Sequence, residues 1–268
     1  MMTDDATNDA TNEPTEPPFD PLERVIHPRR VARIDHVLAQ RLASVTVVFE
    51  DIYDPHNVGA GMRTADGYGL SDVHVVTAKH GFKGPGSVAK SAEQWLTVHR
   101  HGSPEQAIAA LRAQGFSIWV SDLDAEHALA ELPVQGKIAL VIGNEAEGIS
   151  EAMRQAADVR YVLPMHGMVQ SFNLSVALAI SLERVAVQRR NQLAARGRGG
   201  DLPAERAAAL RPRWLEYGVR QAKKVRAAYA EGDPEADAAI RAAQREEAAL
   251  LAAATARVRV HGRTQEES

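Results

Sequence analysis

Cysteine is absent from the 268 residues. Disulfides, thiolate nucleophiles and cysteine metal sites are thereby excluded, and any metal chemistry is left to histidine and carboxylates. Long apolar runs are missing as well: no stretch approaches the ~20 residues needed to cross a bilayer. The N-terminus is polar and acidic where a secretory leader would be basic and then apolar. The expectation is a soluble, cytoplasmic chain with no membrane partner.

Several catalytic signatures are also lacking. Gly81-Phe82-Lys83-Gly84-Pro85-Gly86-Ser87 has glycines but not the Gly-Lys-Ser/Thr ending of a phosphate-binding loop. No His-Glu-x-x-His helix occurs, and His166 has no partner at metal-ligand spacing. Neither a Gly-x-Ser-x-Gly elbow nor a dinucleotide fingerprint follows the first strand, where Asp51 to Gly61 carries proline and asparagine instead. Metalloprotease, hydrolase and dehydrogenase chemistry all lose their support.

What is present is ordinary globular composition, 45% apolar and 25% charged. The formal charge of −4 hides an uneven distribution, because Asp4, Asp5, Asp9, Glu13, Glu16 and Asp20 all precede the first basic residue, Arg24. Local basic surfaces remain compatible with an acidic total. Residues 1–22 read as a disordered acidic arm, 23–192 as an α/β domain, and 193–268 as an Arg/Gly-rich linker with a helical C-terminal extension.

From Arg41 the pattern becomes regular. Val45 to Phe49 is β-branched and apolar, Val58 to Leu70 has helical spacing, and Val73 to Val76 is again a strand. Pro104 to Gln114 and Glu151 to Ala157 follow as helices, with Phe116 to Ser121, Ile138 to Ile142 and Tyr161 to Leu163 as strands. Ser175 to Arg190 closes the domain as a helix with a cationic end. Alternating strands and helices predict a mostly parallel sheet with helices on both faces.

Three polar clusters follow predicted strands, where ligand sites of parallel sheets gather. They are Asp54-Pro55-His56-Asn57 through Arg63-Thr64, Gly143-Asn144-Glu145 through Gly148, and Pro164 through Met168-Val169-Gln170-Ser171-Phe172-Asn173-Leu174-Ser175. In type, spacing and order they resemble the three motifs of the SpoU-type RNA 2′-O-methyltransferases. The wording around Asn57, Arg63 and Gln170 is similar to the TrmH branch, the tRNA guanosine-18 2′-O-methyltransferases, over residues 30 to 190.

The resemblance implies a SPOUT fold, an α/β domain whose C-terminal part threads a loop into a trefoil knot. It implies S-adenosyl-L-methionine bound in that knot, with Ser121, Gly143, Leu163, Met168 and Phe172 as cofactor-binding positions. The missing Cβ of Gly143 would let backbone approach a ligand, whereas Leu163 and Phe172 are equally readable as plain core residues. Arg63, Asn57, Glu145, Ser171 and Asn173 take the catalytic positions. Arg63 suits a phosphate beside the reacting ribose, since a neutral guanidine is costly with a pKa above about 12; how the hydroxyl proton leaves stays open. Glu145 is expected to pair with Arg63 or a loop amide, Asn57 to orient Arg63 or the ribose, and Asn173 also to cap the following helix.

The implied partner is structured RNA, with tRNA ahead of ribosomal RNA, held in part by Arg63, Lys79 and Lys83, and the implied assembly is a homodimer. An RNA-binding knot protein without transfer activity is the alternative of another class. Arg211, Arg213, Trp214 and Tyr217 admit two readings, phosphate contact with base stacking or a helix packed on the domain.

Overall fold

The computed structural model describes residues 19–78 and 92–230, together with 238, 240–245 and 248–249. It divides into two compact units, Pro28–Gly218 and a second formed by Met1–His27 with Val219–Ser268.

The larger unit opens with α1 (Pro28–Ala39), which buries Ile34 and Leu38 one turn apart. Strand β1 (Val45–Glu50) is buried at every position, and so is β2 (Asp72–Val76). Between them α2 (Pro55–Gly67) starts where Asp54 accepts the His56 N–H at 2.9 Å and Pro55 supplies a preset φ at the first turn. Then come β3 (Thr97–His101), α3 (Pro104–Ala113), β4 (Phe116–Ser121), β5 (Lys137–Ile142), α4 (Glu151–Ala156), β6 (Val159–Tyr161), α5 (Leu174–Ala194) and α6 (Ala204–Glu216).

The six strands lie in the order β3-β2-β1-β5-β4-β6, and every neighbouring pair is parallel. Helices cover both faces. Val47, Phe49, Leu140 and Ile142 pack with Met62 of α2 and Leu178, Leu182 and Val185 of α5; Val48, Ile118 and Val141 pack with Leu111 of α3 and Met153 of α4. Burial on both faces is why β1 and β5 read as unbroken apolar runs. At Gly61 an added Cβ would stand 2.5 Å from the Phe49 ring and 3.0 Å from Leu178, so this glycine sets the approach of α2 to the sheet.

Strand β3 is not among the predicted strands. Its sequence, Thr-Val-His-Arg-His, puts cations on a half-buried edge, where charge protects unpaired backbone. Residues 193–218 belong to the same compact unit as the sheet. On α6, Arg211 pairs with Asp35 of α1 at 2.6 Å, Arg213 donates to the carbonyls of Gln94 and Leu96 at 2.8 and 2.6 Å, and Trp214 is buried. Of the two readings open for this segment, packing on the domain accounts for these three side chains.

In the smaller unit Asp20 caps a 3-10 turn at Pro21–Arg24, Leu22 is fully buried, and Arg226 of α7 (Ala222–Ala230) meets Asp20 at 2.8 Å. Residues 19–22, counted with the arm in the sequence reading, are thus a capped and packed turn; the remainder of the arm lies outside the described residues.

Candidate active site

The chain reverses its direction of growth across the sheet between β1 and β5, and parallel sheets gather ligands outside their carboxyl ends near such a point. A cavity of about 610 Å³ lies there, lined by Ser121 to Asp124 after β4, Gly143 to Ile149 after β5, Leu163 and Met165 after β6, and Ser171 to Leu174 at the start of α5.

Two turns at the strand ends beside it each have a local reason for their shape. After β1 the chain turns at Asp51, whose φ of 48° is left-handed and whose carboxylate accepts the Ala78 N–H at 2.8 Å. After β5 the turn is built by Asn144: its backbone pairs both ways with Gly148, its Oδ1 accepts the N–H groups of Ala146 and Glu147 at 2.8 and 3.1 Å, and its Nδ2 donates to the Asp51 carbonyl at 2.7 Å. A Cβ on Gly143 would fall 2.4 Å from the Gly148 backbone. Close approach of this loop to itself therefore demands glycine at 143, a reason additional to the ligand approach drawn from sequence.

The loop is anchored below by Glu50, almost wholly buried at the end of β1, which accepts the Ser150 N–H at 3.0 Å and its hydroxyl at 2.5 Å. Burial pushes the Glu50 carboxyl above its usual value against the pull of those two bonds. On the far wall Asp122 meets Arg154 and lies 2.7 Å from Arg160. Burial raises its pKa, but hydrogen bonds from the Asp124 N–H, Arg160 and Arg154 outweigh it and hold the carboxyl below the usual range.

At the mouth, three of the predicted catalytic residues join in one hydrogen-bonded chain. The Asn57 amide donates to Glu145 Oε1 at 2.8 Å, Glu145 Oε2 accepts the Tyr53 N–H at 3.2 Å, and the Asn173 amide donates to Asn57 Oδ1 at 3.2 Å. Asn173 Oδ1 in turn caps α5, accepting the Ser175 N–H at 2.9 Å. A carboxylate only accepts, so this order fixes which way both amides face.

Ser121, Gly143, Glu145, Leu163, Ser171, Phe172 and Asn173 all line the cavity. Met168 does not: it is 99% exposed, outside the lining. Arg63 sits exposed on α2, makes no hydrogen bond or ion pair among the described residues, and is outside the lining. Of the two partners expected for Glu145, Arg63 or a loop amide, the structure has the loop amide, that of Tyr53, and adds the Asn57 side chain. Lys79 and Lys83 lie outside the described residues. Sequence reasoning missed Asp51, Glu50, Asp122 and Ser150; a carboxylate just past a strand, as at Asp122, and Ser150 before a helix were the signals available.

The lining mixes apolar surface from Ile142, Leu163, Phe172 and Ala177 with the hydroxyls of Ser121 and Ser171 and the turn backbones. A cavity of this size and mixed character suits a small organic ligand with apolar and polar parts. Four acidic residues, Asp122, Asp124, Glu145 and Glu147, and one basic residue, Arg154, are among its lining, a net negative wall suited to a cationic group.

Comparison with known proteins identifies the family. The sequence model of the SpoU rRNA Methylase family matches residues 44–183, which is 140 of the 268 residues. The tRNA (guanosine(18)-2′-O)-methyltransferase of Escherichia coli K12 is 36% identical over 167 residues, spanning 62% of this chain and 73% of the relative. Its namesake from Thermus thermophilus is 32% identical over 161 residues, 60% of this chain and 83% of the relative. The crystal structure of the TrmH/SpoU tRNA modifying enzyme of A. aeolicus superposes with a TM-score of 0.64 at 28% identity, covering 72% of this chain and 98% of that one. With its parallel sheet, its cavity at the strand ends and these matches, the chain belongs to the SpoU methylase family and is an S-adenosylmethionine-dependent RNA methyltransferase.

Proposed function

We propose that the chain methylates the ribose 2′-hydroxyl of a guanosine in tRNA. The observation that carries this is the Glu145–Asn57–Asn173 chain at the cavity mouth, polar groups held in register where a ribose would meet the methyl donor. The two named relatives, both acting on tRNA guanosine, support the substrate.

The cofactor supplies an electrophilic methyl group, and the protein's task is alignment. Ser121, Gly143, Leu163 and Phe172 hold the donor in the cavity. Asn57 and Asn173, locked by Glu145, present amide groups that orient the ribose, and Ser171 adds a hydroxyl beside them. Arg63 lacks a protein partner among the described residues, which suits a guanidinium reserved for a phosphate of the RNA. The transfer chemistry belongs to the Pro28–Gly218 unit.

The knotted crossing of the family is supported by the β4–β5 connection. It is held by Val162 on one side, through Val162 N–H to His127 and Leu129 N–H to Val162, and by Arg184 and Gln192 of α5 on the other. A homodimer is supported by Val176, Ile180 and Val187, which lie on one stripe of α5 yet remain 45%, 39% and 38% exposed. A cytoplasmic setting agrees with the chemistry, and no helix of the described residues is long and apolar enough to cross a membrane.

The test is transfer of labelled methyl from S-adenosylmethionine to total tRNA and, separately, to ribosomal RNA, followed by digestion to nucleosides. Label in 2′-O-methylguanosine from tRNA is expected. Label confined to ribosomal RNA would overturn the substrate and keep the chemistry.

A further inference from the structure

A second hollow, of about 490 Å³, opens at the opposite edge of the sheet. Its residues precede strands instead of following them: Arg41 comes before β1, Gly69 before β2 and Trp95 before β3. Two indoles form one side, Trp95 and Trp214 meeting edge to face with ring centroids 5.2 Å apart. Trp214 is buried, and Trp95 keeps part of its surface in solvent.

The charge around these rings is unbalanced. Arg41 stacks its guanidinium 4.8 Å from the Trp214 centroid and pairs with Asp66 at 2.6 Å. Arg190 donates to the carbonyls of Gln40, Tyr68 and Gly199 at 3.0, 2.7 and 3.2 Å, with no carboxylate partner among the described residues. Arg33, exposed on α1, has no hydrogen bond or ion pair among the described residues. Three guanidiniums thus face Asp66 and, near Arg190, Asp201. Burial, and then the neighbouring Arg41, push Arg190 below its ordinary pKa and outweigh the opposing pull of Asp201, as expected of a cation only partly compensated. An anion would relieve that strain, and an aromatic base beside the anion would use the indoles.

We propose that this hollow is a second RNA contact, taking one unpaired nucleotide with its phosphate against Arg33 and Arg190 and its base against Trp95. The assignment rests on the reading of RNA as substrate. The two cavities sit at opposite ends of six-residue strands, roughly 20 Å apart. A compact folded RNA spans that separation on one side of the protein, whereas a short strand occupies one cavity at a time.

Intrinsic tryptophan fluorescence of the full chain, titrated with a single-stranded oligoadenylate and separately with adenosine 5′-monophosphate, tests the proposal. Trp119, in the sheet core at 4% exposure, is a silent bystander. Expected is a saturable quench by the oligonucleotide, reduced in amplitude in Trp95→Phe to what Trp214 in the same hollow contributes, and at least fivefold weaker binding in Arg33→Glu with a salt slope reduced by about 0.7. S-adenosylmethionine affinity should match wild type in both variants. Equal oligonucleotide affinity in wild type and Arg33→Glu, or a quench of undiminished amplitude in Trp95→Phe, overturns the site. A quench by the mononucleotide without one by the strand overturns RNA as its occupant. Because binding is read without turnover, failure of methyl transfer to tRNA would be seen separately.

Discussion

The Asn57 amide donates to Glu145 at 2.8 Å, tying α2 to the loop after β5 across 88 positions of sequence. Glu145 is an exposed residue whose second oxygen accepts from the Tyr53 backbone N–H, so Asn57 is what connects that carboxylate to Asn173 and the helix beyond. Asn57→Ala removes a donor and an acceptor together. Methyl transfer should fall by about 10²-fold, the scale of losing one preorganised polar group, while calorimetric S-adenosylmethionine affinity changes little. Turnover within twofold of wild type would remove Asn57 from the transfer step.

Arg63 is exposed and without a partner among the described residues, so its removal should leave the fold untouched. Arg63→Ala is expected to lower kcat/KM for tRNA by about 10²-fold or more through a lost charge-assisted phosphate contact. Cofactor binding and the thermal midpoint stay at wild-type values. Arg63→Lys should recover only part of the loss, because an ammonium lacks the planar fork. Full activity in the alanine variant would sink the phosphate role.

Gly143→Ala places a methyl 2.4 Å from the Gly148 backbone, which cannot swing aside like a side chain. The loop must shift, at a cost of about 1–3 kcal/mol by the scale of overpacking. Differential scanning calorimetry should show a lowered midpoint, and cofactor affinity should drop with it. A variant with wild-type midpoint and affinity would mean that the loop has slack.

Acid should destabilise the larger unit through its β2–β3 edge. His74 is buried, stacks on His99 with centroids 4.7 Å apart, and faces His101 Nε2 at 2.9 Å. Burial first, then repulsion from His99 and His101, push its pKa down to about 3. Asp72 is held at about 2, because hydrogen bonds from His99, Ser71 and Arg206 outweigh the upward push of burial. Both values lie below those of the unfolded chain, 6.5 and 3.8, so the unfolded state binds more protons as pH falls. Stability is complete above pH 6.5, declines through the His74 window down to about 3, and falls further between 3.8 and about 2 with Asp72. The His74 part is about 1 kcal/mol per pH unit. Urea midpoints at several pH values should fall less steeply in His74→Gln; parallel slopes for both proteins would refute the assignment.

How far the sequence carried can be read from particular residues. Val45 to Phe49 and Ile138 to Ile142 announced central strands because burial on both faces demands apolar side chains at every position. Asp54 and Pro55 announced a helix start by local chemistry alone. Strand β3 was illegible because its pairing with β2 is a tertiary fact, imposed on a stretch whose alternate residues are histidines. Helix α1 escaped for a similar reason: only Ile34 and Leu38 of its residues are buried, too sparse a stripe to stand out beside three arginines. Around the cavity, which loops would meet was legible and the side-chain pairings were not. Glu145 and Arg63 are compatible charges, but which atom lies within 3 Å of which depends on loop backbones that no spacing encodes. Asn144 is the sharpest case, a side chain that closes its own turn with two hydrogen bonds and ties it to the Asp51 carbonyl with a third.

Asn173 divides its amide between two duties, the oxygen closing the first turn of α5 and the nitrogen reaching Asn57. Aspartate at this position would keep the oxygen and discard the donor, leaving a helix that folds over a mouth that no longer aligns anything. Asn173→Asp should therefore retain the wild-type thermal midpoint within a few degrees while transfer collapses. On the role proposed for Asn173, a lineage that gave up methylation but kept its folded shell needs only that single-letter step, at almost no thermodynamic penalty, so catalyst and inert scaffold would stand one codon change apart.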